Sequence, residues 1–487
     1  MVQHIIAHPR VRLGGVKGGG DGVIFATVLA DDADGNKVDC GAVFNKFCVV
    51  KEAHTADSYT FAYKQSRTQH SPFQATALDS PNVNTLQSES ETYSRLLTRA
   101  LSHPAVVASA LLFALYAVSL RTVNFDAIGS SEFWRYHIDI DVYREGAKAF
   151  LRGENLYTQD YSVADIKLPF TYPPLAAILF APLAVLPLAF GAVVFDIASV
   201  IVLWWCMVIV LRHAAPALPA RLSALVLLPA ALLLEPITET LDFVQVNIFL
   251  MALVLVDTLT KKPWLPRGFW IGFAAAIKLT PAVFGLYFLL RRDWKSAGVC
   301  AASGIGFTAL AWLISPTNSS QYWLHTLSDP SRIGGLSYAG NQSLRGLLFR
   351  LVGEQTSETL WKVGIVILLA LIAWAMYHAQ PVVAVTLNSL VALLCSPVSW
   401  SHHWVWIVPA ALLLAVAMRK SVAAGVAFVL VVGTALFPPH WMLPRNNNAE
   451  EAWNFAQQLV GSSYVLLSLA IVFGVIAAHY RRRGSLS

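Results

Sequence analysis

The chain has 487 residues, 56% of them hydrophobic and only 13% charged, with a mean hydropathy of +0.55. Soluble globular proteins carry about 25% charged residues, so this composition excludes an ordinary soluble domain and describes a chain largely dissolved in lipid. The net charge is +6, but the basic residues gather at the ends of apolar runs, as in Arg291-Arg292 and Arg481-Arg482-Arg483, which suits membrane-edge anchoring rather than nucleic-acid binding.

Residues 1–95 are polar, contain Gly18-Gly19-Gly20, and hold neither a run that could span a bilayer nor a visible signal peptide. Partial alternation of apolar and polar residues from Asp21 to Tyr63 is compatible with a small strand-rich unit of unknown role; a disordered tail or an over-extended reading of the gene are the other readings. The expected division is this polar N-terminal segment, 1–95, and a membrane domain, 96–487. The five cysteines form no CxxC pair, so neither a zinc site nor a disulfide framework is expected.

About twenty apolar residues cross a bilayer as a helix, and lipid admits no open sheet edge. The runs beyond residue 104 therefore predict an all-α polytopic membrane protein. About twelve transmembrane helices are expected, near 104–120, 173–187, 189–211, 222–236, 243–259, 268–290, 296–315, 359–377, 382–396, 404–418, 421–437 and 458–479. Basic residues favour the cytoplasmic side. Placing Arg291-Arg292, Arg419-Lys420 and the terminal arginine triplet inside leaves 121–172, 316–358, 397–403 and 438–457 outside. The first two are long extracytoplasmic loops of the length that carries function. Two connections disagree with this count: Arg212 to Arg221 and Lys261 to Arg267 fall outside.

The first outer loop opens a helix at His137-Ile138-Asp139-Ile140-Asp141-Val142-Tyr143. As far as Gly153, residues Ile140, Tyr143, Ala147 and Phe150 share one face, so this helix is expected to lie in the headgroup plane with Asp139 at its start. A carboxylate there serves either as an N-cap or as a general base facing a membrane-level cleft. Asp141, two residues on, points elsewhere. Phe170-Thr171-Tyr172-Pro173-Pro174 follows, its prolines suited to a helix start and Tyr172 to an interface. Gln245 and Asn247 sit in an apolar helix, where amides bond between helices. Lys278, in Ile277-Lys278-Leu279-Thr280-Pro281, lies inside a span and needs a partner: a phosphate, a carboxylate such as Glu235, or escape to the interface. In the second long loop, Asn341-Gln342-Ser343-Leu344-Arg345 is dense in hydrogen-bonding groups, and Arg345 suits a fork on phosphate or a solvated surface. Ser396-Pro397 leads to His402-His403, which diverge by about 100° on a helix, so one of the two is expected to face a site. They carry no HExxH-type spacing, and no metal is expected.

Together these residues put a carboxylate, a lysine, an arginine and a histidine pair on the outer leaflet. A carboxylate to activate an acceptor hydroxyl and cations to stabilise a departing phosphate are the requirements of sugar transfer from a lipid phosphate.

On these motifs and their order, residues 100–480 resemble the membrane-embedded GT-C glycosyltransferases, specifically glycosyltransferase family 87 and its actinobacterial PimE-type mannosyltransferases. The resemblance implies a GT-C fold and an inverting transfer of mannose from polyprenyl-phosphate-mannose to a phosphatidylinositol mannoside, in α-1,2 linkage, on the outer face of the plasma membrane. It implies that Asp139 is the base, that His403, Lys278, Arg345 and His402 contact the donor phosphate, and that Asn341, Gln342, Tyr172, Asn247 and Asp141 contact substrate. It implies no cofactor. Lipomannan or lipoarabinomannan mannosyl- or arabinosyl transfer on the same fold remains open, as does a lipid or sugar transporter.

Overall fold

The computed structural model describes residues 95–129, 133–329, 332, 334–445 and 447–484, together with five strands between Arg12 and Ala62. The chain divides into two compact units, Met1–Pro81 and Asn82–Ser487. In the first, Arg12–Gly18, Ile24–Asp31 and Lys37–Asp39 form an antiparallel sheet, and Val49–Lys51 pairs with Thr60–Ala62. Strands thus occur in the stretch whose alternation is compatible with them.

The second unit is a helical, multi-pass membrane domain. Among the described residues, six helices are long and apolar enough to cross alone: Pro104–Thr122, Leu188–Ala214, Trp294–Ile314, Glu354–Tyr377, Val422–Trp441 and Ser463–Arg481. The pair Ala220–Leu232 and Glu235–Phe243, bent by 79°, makes a seventh when the two helices are taken as one broken span. The remaining apolar helices are shorter, including Asn247–Leu259, Pro381–Cys395 and Ser401–Ala417. Length and apolar character alone thus do not fix the number of crossings, and two of the expected spans differ most from single membrane-length helices.

The run 173–187 becomes two short helices, Pro174–Leu179 and Ala181–Val185. Pro182 and Pro187 each remove a backbone donor, and neither piece reaches across a bilayer. The run 268–290 folds back on itself. Phe269–Ile277 runs outward, Lys278 is extended at φ −145° and ψ 129°, and a 3-10 turn at Thr280–Phe284 leads into Gly285–Leu290 running back. Both halves of this run pack against one neighbour. A side chain on Gly268 would overlap Ser296 and Cys300, one on Gly272 would overlap Cys300 and Gly304, and one on Gly285 would stand 3.7 Å from the same Cys300 Sγ. Both arms therefore rest on the helix Trp294–Ile314, and Lys278 sits at the hairpin tip.

The interfacial helix spans Ile138–Leu151 and buries Ile140, Tyr143 and Ala147, three of the four residues on its predicted face. It ends at Gly153, whose φ of +72° suits the left-handed turn that closes helices. A two-stranded hairpin, Asp160–Val163 with Ile166–Pro169, then carries the chain to Phe170. Phe170 is fully buried against Gly146, where a Cβ would collide with its ring. Tyr143 stacks on Phe180 at 4.3 Å and meets Tyr172 edge-on at 5.2 Å. This aromatic cluster fixes the start of the helix, and with it Asp139.

Candidate active site

Asp139 is not an N-cap. The cap position belongs to His137, which makes no side-chain cap bond, and its Nδ1 lies 2.8 Å from the Asp242 carbonyl instead. The Asp139 carboxylate turns inward, where Oδ2 accepts the Gln245 side-chain amide. Gln245 Oε1 in turn accepts the hydroxyls of Tyr143 at 2.9 Å and Tyr172 at 3.1 Å. Gln245 reaches this point because the helix Glu235–Phe243 ends at Val244 with φ 58°, a left-handed conformation unfavourable for a β-branched residue. Enclosure by protein raises the Asp139 pKa to about 6, opposed by the Gln245 hydrogen bond and the positive charge of Lys278. A carboxyl tuned to that range suits proton abstraction near neutral pH.

Lys278 Nζ donates to Asn247 Oδ1 at 2.9 Å, approaches His403 Nε2 at 3.3 Å, and stands 5.3 Å above the Tyr172 ring. Glu235 is not its partner. That carboxylate accepts Trp441 Nε1 at 2.8 Å and Tyr464 Oη at 2.7 Å, beside the buried His440. Asn247 is held by donating to the His402 carbonyl at 3.0 Å, which also accepts Thr240 Oγ1 at 2.8 Å. The breaks at Val244, Lys278 and Ser401–Trp406 thus meet at one level. Irregular backbone inside a membrane protein is tolerated where it lines a cavity, and here it does. Lys278, His403, Asn247 and Ser399 line a cleft whose other wall is apolar, with Leu250, Met251, Phe284, Leu393 and Trp406.

The other expected site residues fall elsewhere. His402 points away from the lysine, its ring edge-on to Phe243 at 5.0 Å, so one histidine of the pair faces the cleft. Asp141 accepts Tyr136 Oη at 2.7 Å on the outer face of its helix, away from Asp139. Asn341 is fully buried. Its amide donates to the Leu336 carbonyl and its Oδ1 accepts the Ser399 amide at 3.1 Å. Gln342 donates to the carbonyls of Ala339 and Gly461 at 2.9 and 2.8 Å. Asn341 ties the loop near 340 to the loop carrying His403, and Gln342 ties it to the helix Phe455–Gly461; their donors go to backbone. Arg345 is neither in a loop nor solvated. It is the second residue of the helix Leu344–Val352, buried, with its guanidinium 5.1 Å above the Trp361 ring. No contact joins it to Lys278 or His403 among the described residues. Gln245 is the residue sequence reading left out of the site: its only signal was an amide in an apolar run.

The model of glycosyltransferase family 87 matches residues 170–397. A polyprenol-phosphate-mannose-dependent α-(1-2)-phosphatidylinositol mannoside mannosyltransferase of Mycobacterium tuberculosis is 38% identical over 386 residues, covering 74% of this chain and 89% of that protein. The chain belongs to glycosyltransferase family 87. A protein of the same description from Mycolicibacterium smegmatis is also 38% identical, covering 72% of this chain and 86% of the relative. Among solved structures, ArnT from Cupriavidus metallidurans bound to undecaprenyl phosphate overlaps 75% of the chain at 15% identity and a TM-score of 0.34. The family match includes Tyr172, Gln245, Asn247 and Lys278; Asp139 and His403 lie outside its limits.

Proposed function

We propose that this family 87 enzyme is an inverting mannosyltransferase that moves mannose from polyprenyl-phosphate-mannose to a phosphatidylinositol mannoside, forming an α-1,2 bond at the outer face of the plasma membrane. The supporting observation is one cleft with a cationic end and an apolar wall, joined through Lys278 and Tyr172 to a half-buried carboxylate. A lipid phosphate is amphiphilic in the same sense. Its phosphate fits Lys278 and His403, and its prenyl chain fits Leu250, Met251, Phe284, Leu393 and Trp406. Asp139 takes the proton of an acceptor hydroxyl, whose oxygen attacks the anomeric carbon from the face opposite the phosphate. The carbon–oxygen bond to phosphate breaks, and the electron pair leaves with polyprenyl phosphate. That group gains negative charge as it departs, and Lys278 is placed to meet it. The donor and acceptor are those named for the mycobacterial relatives.

The topology supports an outward-facing site. Counting the shorter apolar helices Asn247–Leu259, Pro381–Cys395 and Ser401–Ala417 as crossings too, with 173–187 not crossing and 268–290 returning to its own side, puts Arg212, Arg221, Lys261, Arg267, Arg291 and Arg419 on the side of the C-terminus. That is the cytoplasmic bias of basic residues without the two exceptions of a twelve-span count. Asp139, Lys278 and His403 then open to the other side.

Purified enzyme given radiolabelled polyprenyl-phosphate-mannose is expected to label a phosphatidylinositol mannoside and not lipomannan, with α-mannosidase releasing the label. Label appearing only in lipomannan would overturn the acceptor assignment. A plot of kcat/KM against pH is expected to rise through about 6 and then level, because the base works only when ionised and burial holds its pKa there. A profile flat from pH 5 to 8 would remove a carboxyl base of this kind.

A further inference from the structure

Asp139 has two oxygens, and they are not equivalent. Oδ2 accepts the Gln245 amide, whereas Oδ1 has no hydrogen bond among the described residues and is not sealed from the surface. Nor is the Gln245 amide free to turn over. An ionised carboxylate only accepts hydrogen bonds, so the NH2 end must face Asp139. The hydroxyls of Tyr143 and Tyr172 both reach Oε1, and the same two hydroxyls lie 2.9 Å from each other. Gln245 and both tyrosines are buried, and such a network holds one arrangement because every alternative leaves a buried polar atom unpaired. The left-handed Val244 immediately before it is backbone strain at this point, of the kind retained where geometry is functional.

On the reading of Asp139 as base, we propose that Gln245 is a positioning residue: clamped by Tyr143 and Tyr172, it occupies Oδ2 and leaves Oδ1 as the oxygen that receives the acceptor proton. The acceptor hydroxyl then has one approach, set by the plane of the carboxylate. In the reaction the O–H bond of the acceptor breaks, its proton bonds to Oδ1, and the freed electron pair forms the new glycosidic bond. The Oδ2 hydrogen bond persists throughout. The groups facing Asp139 are Gln245, Lys278 from the hairpin tip, Tyr143 from its own helix and Tyr172 from the loop before Pro173. Of these, Gln245 is the one bonded to the carboxylate.

The test is Gln245→Met, which keeps length and removes the amide, beside Gln245→Glu and Asp139→Asn. Gln245→Met is expected to lower kcat by about 10–100-fold, within the span of misplaced general-base catalysis, with donor affinity unchanged. The acid limb of kcat/KM is expected to move to higher pH, because a hydrogen bond favouring the ionised form is lost. Gln245→Glu sets a second carboxyl against the first and is expected to move the limb further up. Unchanged kcat and an unmoved limb in folded Gln245→Met would overturn the inference. So would a fall only in thermal stability, with the profile of the folded fraction as in the parent. If Asp139→Asn retains full activity, the base assignment itself fails. If Asp139→Asn is inactive while the Gln245→Met limb stays in place, only the role of Gln245 fails.

Discussion

Asp139→Asn is expected to lower kcat for mannose transfer by about 10²–10⁴-fold, the range of a positioned general base, while the protein folds and binds donor normally. The substitution is nearly isosteric, so the aromatic cluster around Tyr143, Phe170 and Phe180 has no reason to repack. It exchanges a proton acceptor for an amide that cannot take a proton. It also places one amide against another at Gln245, whose NH2 then faces either the new carbonyl oxygen or the new NH2. Donor binding is set at the Lys278 end of the cleft, which contains no atom of Asp139. The decisive measurement is therefore a pair: transfer rate from labelled donor, and donor affinity by direct binding. Loss of both together would mean that Asp139 holds the fold or the donor. Wild-type transfer would mean that it is not the base. Asp141→Asn supplies the contrast. Its carboxylate faces Tyr136 and Arg144 on the other side of the helix, away from Gln245 and Lys278, and activity is expected to stay within about twofold.

The parts of this site legible in the sequence were those where one residue contradicts its surroundings. A lysine in the run Phe269–Leu290 is such a contradiction, and so is an acidic residue opening an amphipathic helix; Lys278 and Asp139 both reach the site. Helical period was enough to predict which face of Ile138–Leu151 is buried. Hydropathy failed where its signal is the same for different folds. A stretch of 268–290 reads as one span whether it crosses or doubles back, because both arms are apolar, and only packing of Gly268, Gly272 and Gly285 on one neighbouring helix decides it. The polar residues near 340 failed for another reason. Asn341, Gln342 and Arg345 carry the donors that a phosphate site needs, but whether such donors are free depends on distant partners. Asn341 donates to Leu336, Gln342 donates to Gly461, and Arg345 lies over the Trp361 ring. Gln245 failed in the opposite sense. An amide in an apolar helix reads as structural glue until Asp139, 106 positions earlier, is seen to be what it holds.

Lys278→Met is expected to raise the donor KM by about 10–100-fold and to leave the acceptor KM within about twofold. A hydrogen bond to a charged group contributes about 1.5–3 kcal/mol, which is that range in affinity. Among the described residues no carboxylate lies within ion-pair distance of Lys278; its close partners are an amide oxygen, an imidazole and an aromatic ring. A cation enclosed by protein with only such partners is destabilising in the empty protein. It gains most from an anion that arrives with the substrate, and more as that anion's charge grows during bond cleavage. Part of the effect should therefore appear in kcat as well as KM, unlike a purely ground-state contact. The same substitution removes a positive charge that favours ionised Asp139, so the acid limb of kcat/KM is expected to move up from about 6. Lys278→Arg keeps the charge and should hold the limb in place even if the bulkier head slows transfer. A donor affinity unchanged in Lys278→Met, with the limb unmoved, would mean that the hairpin tip neither binds the phosphate nor senses the carboxylate.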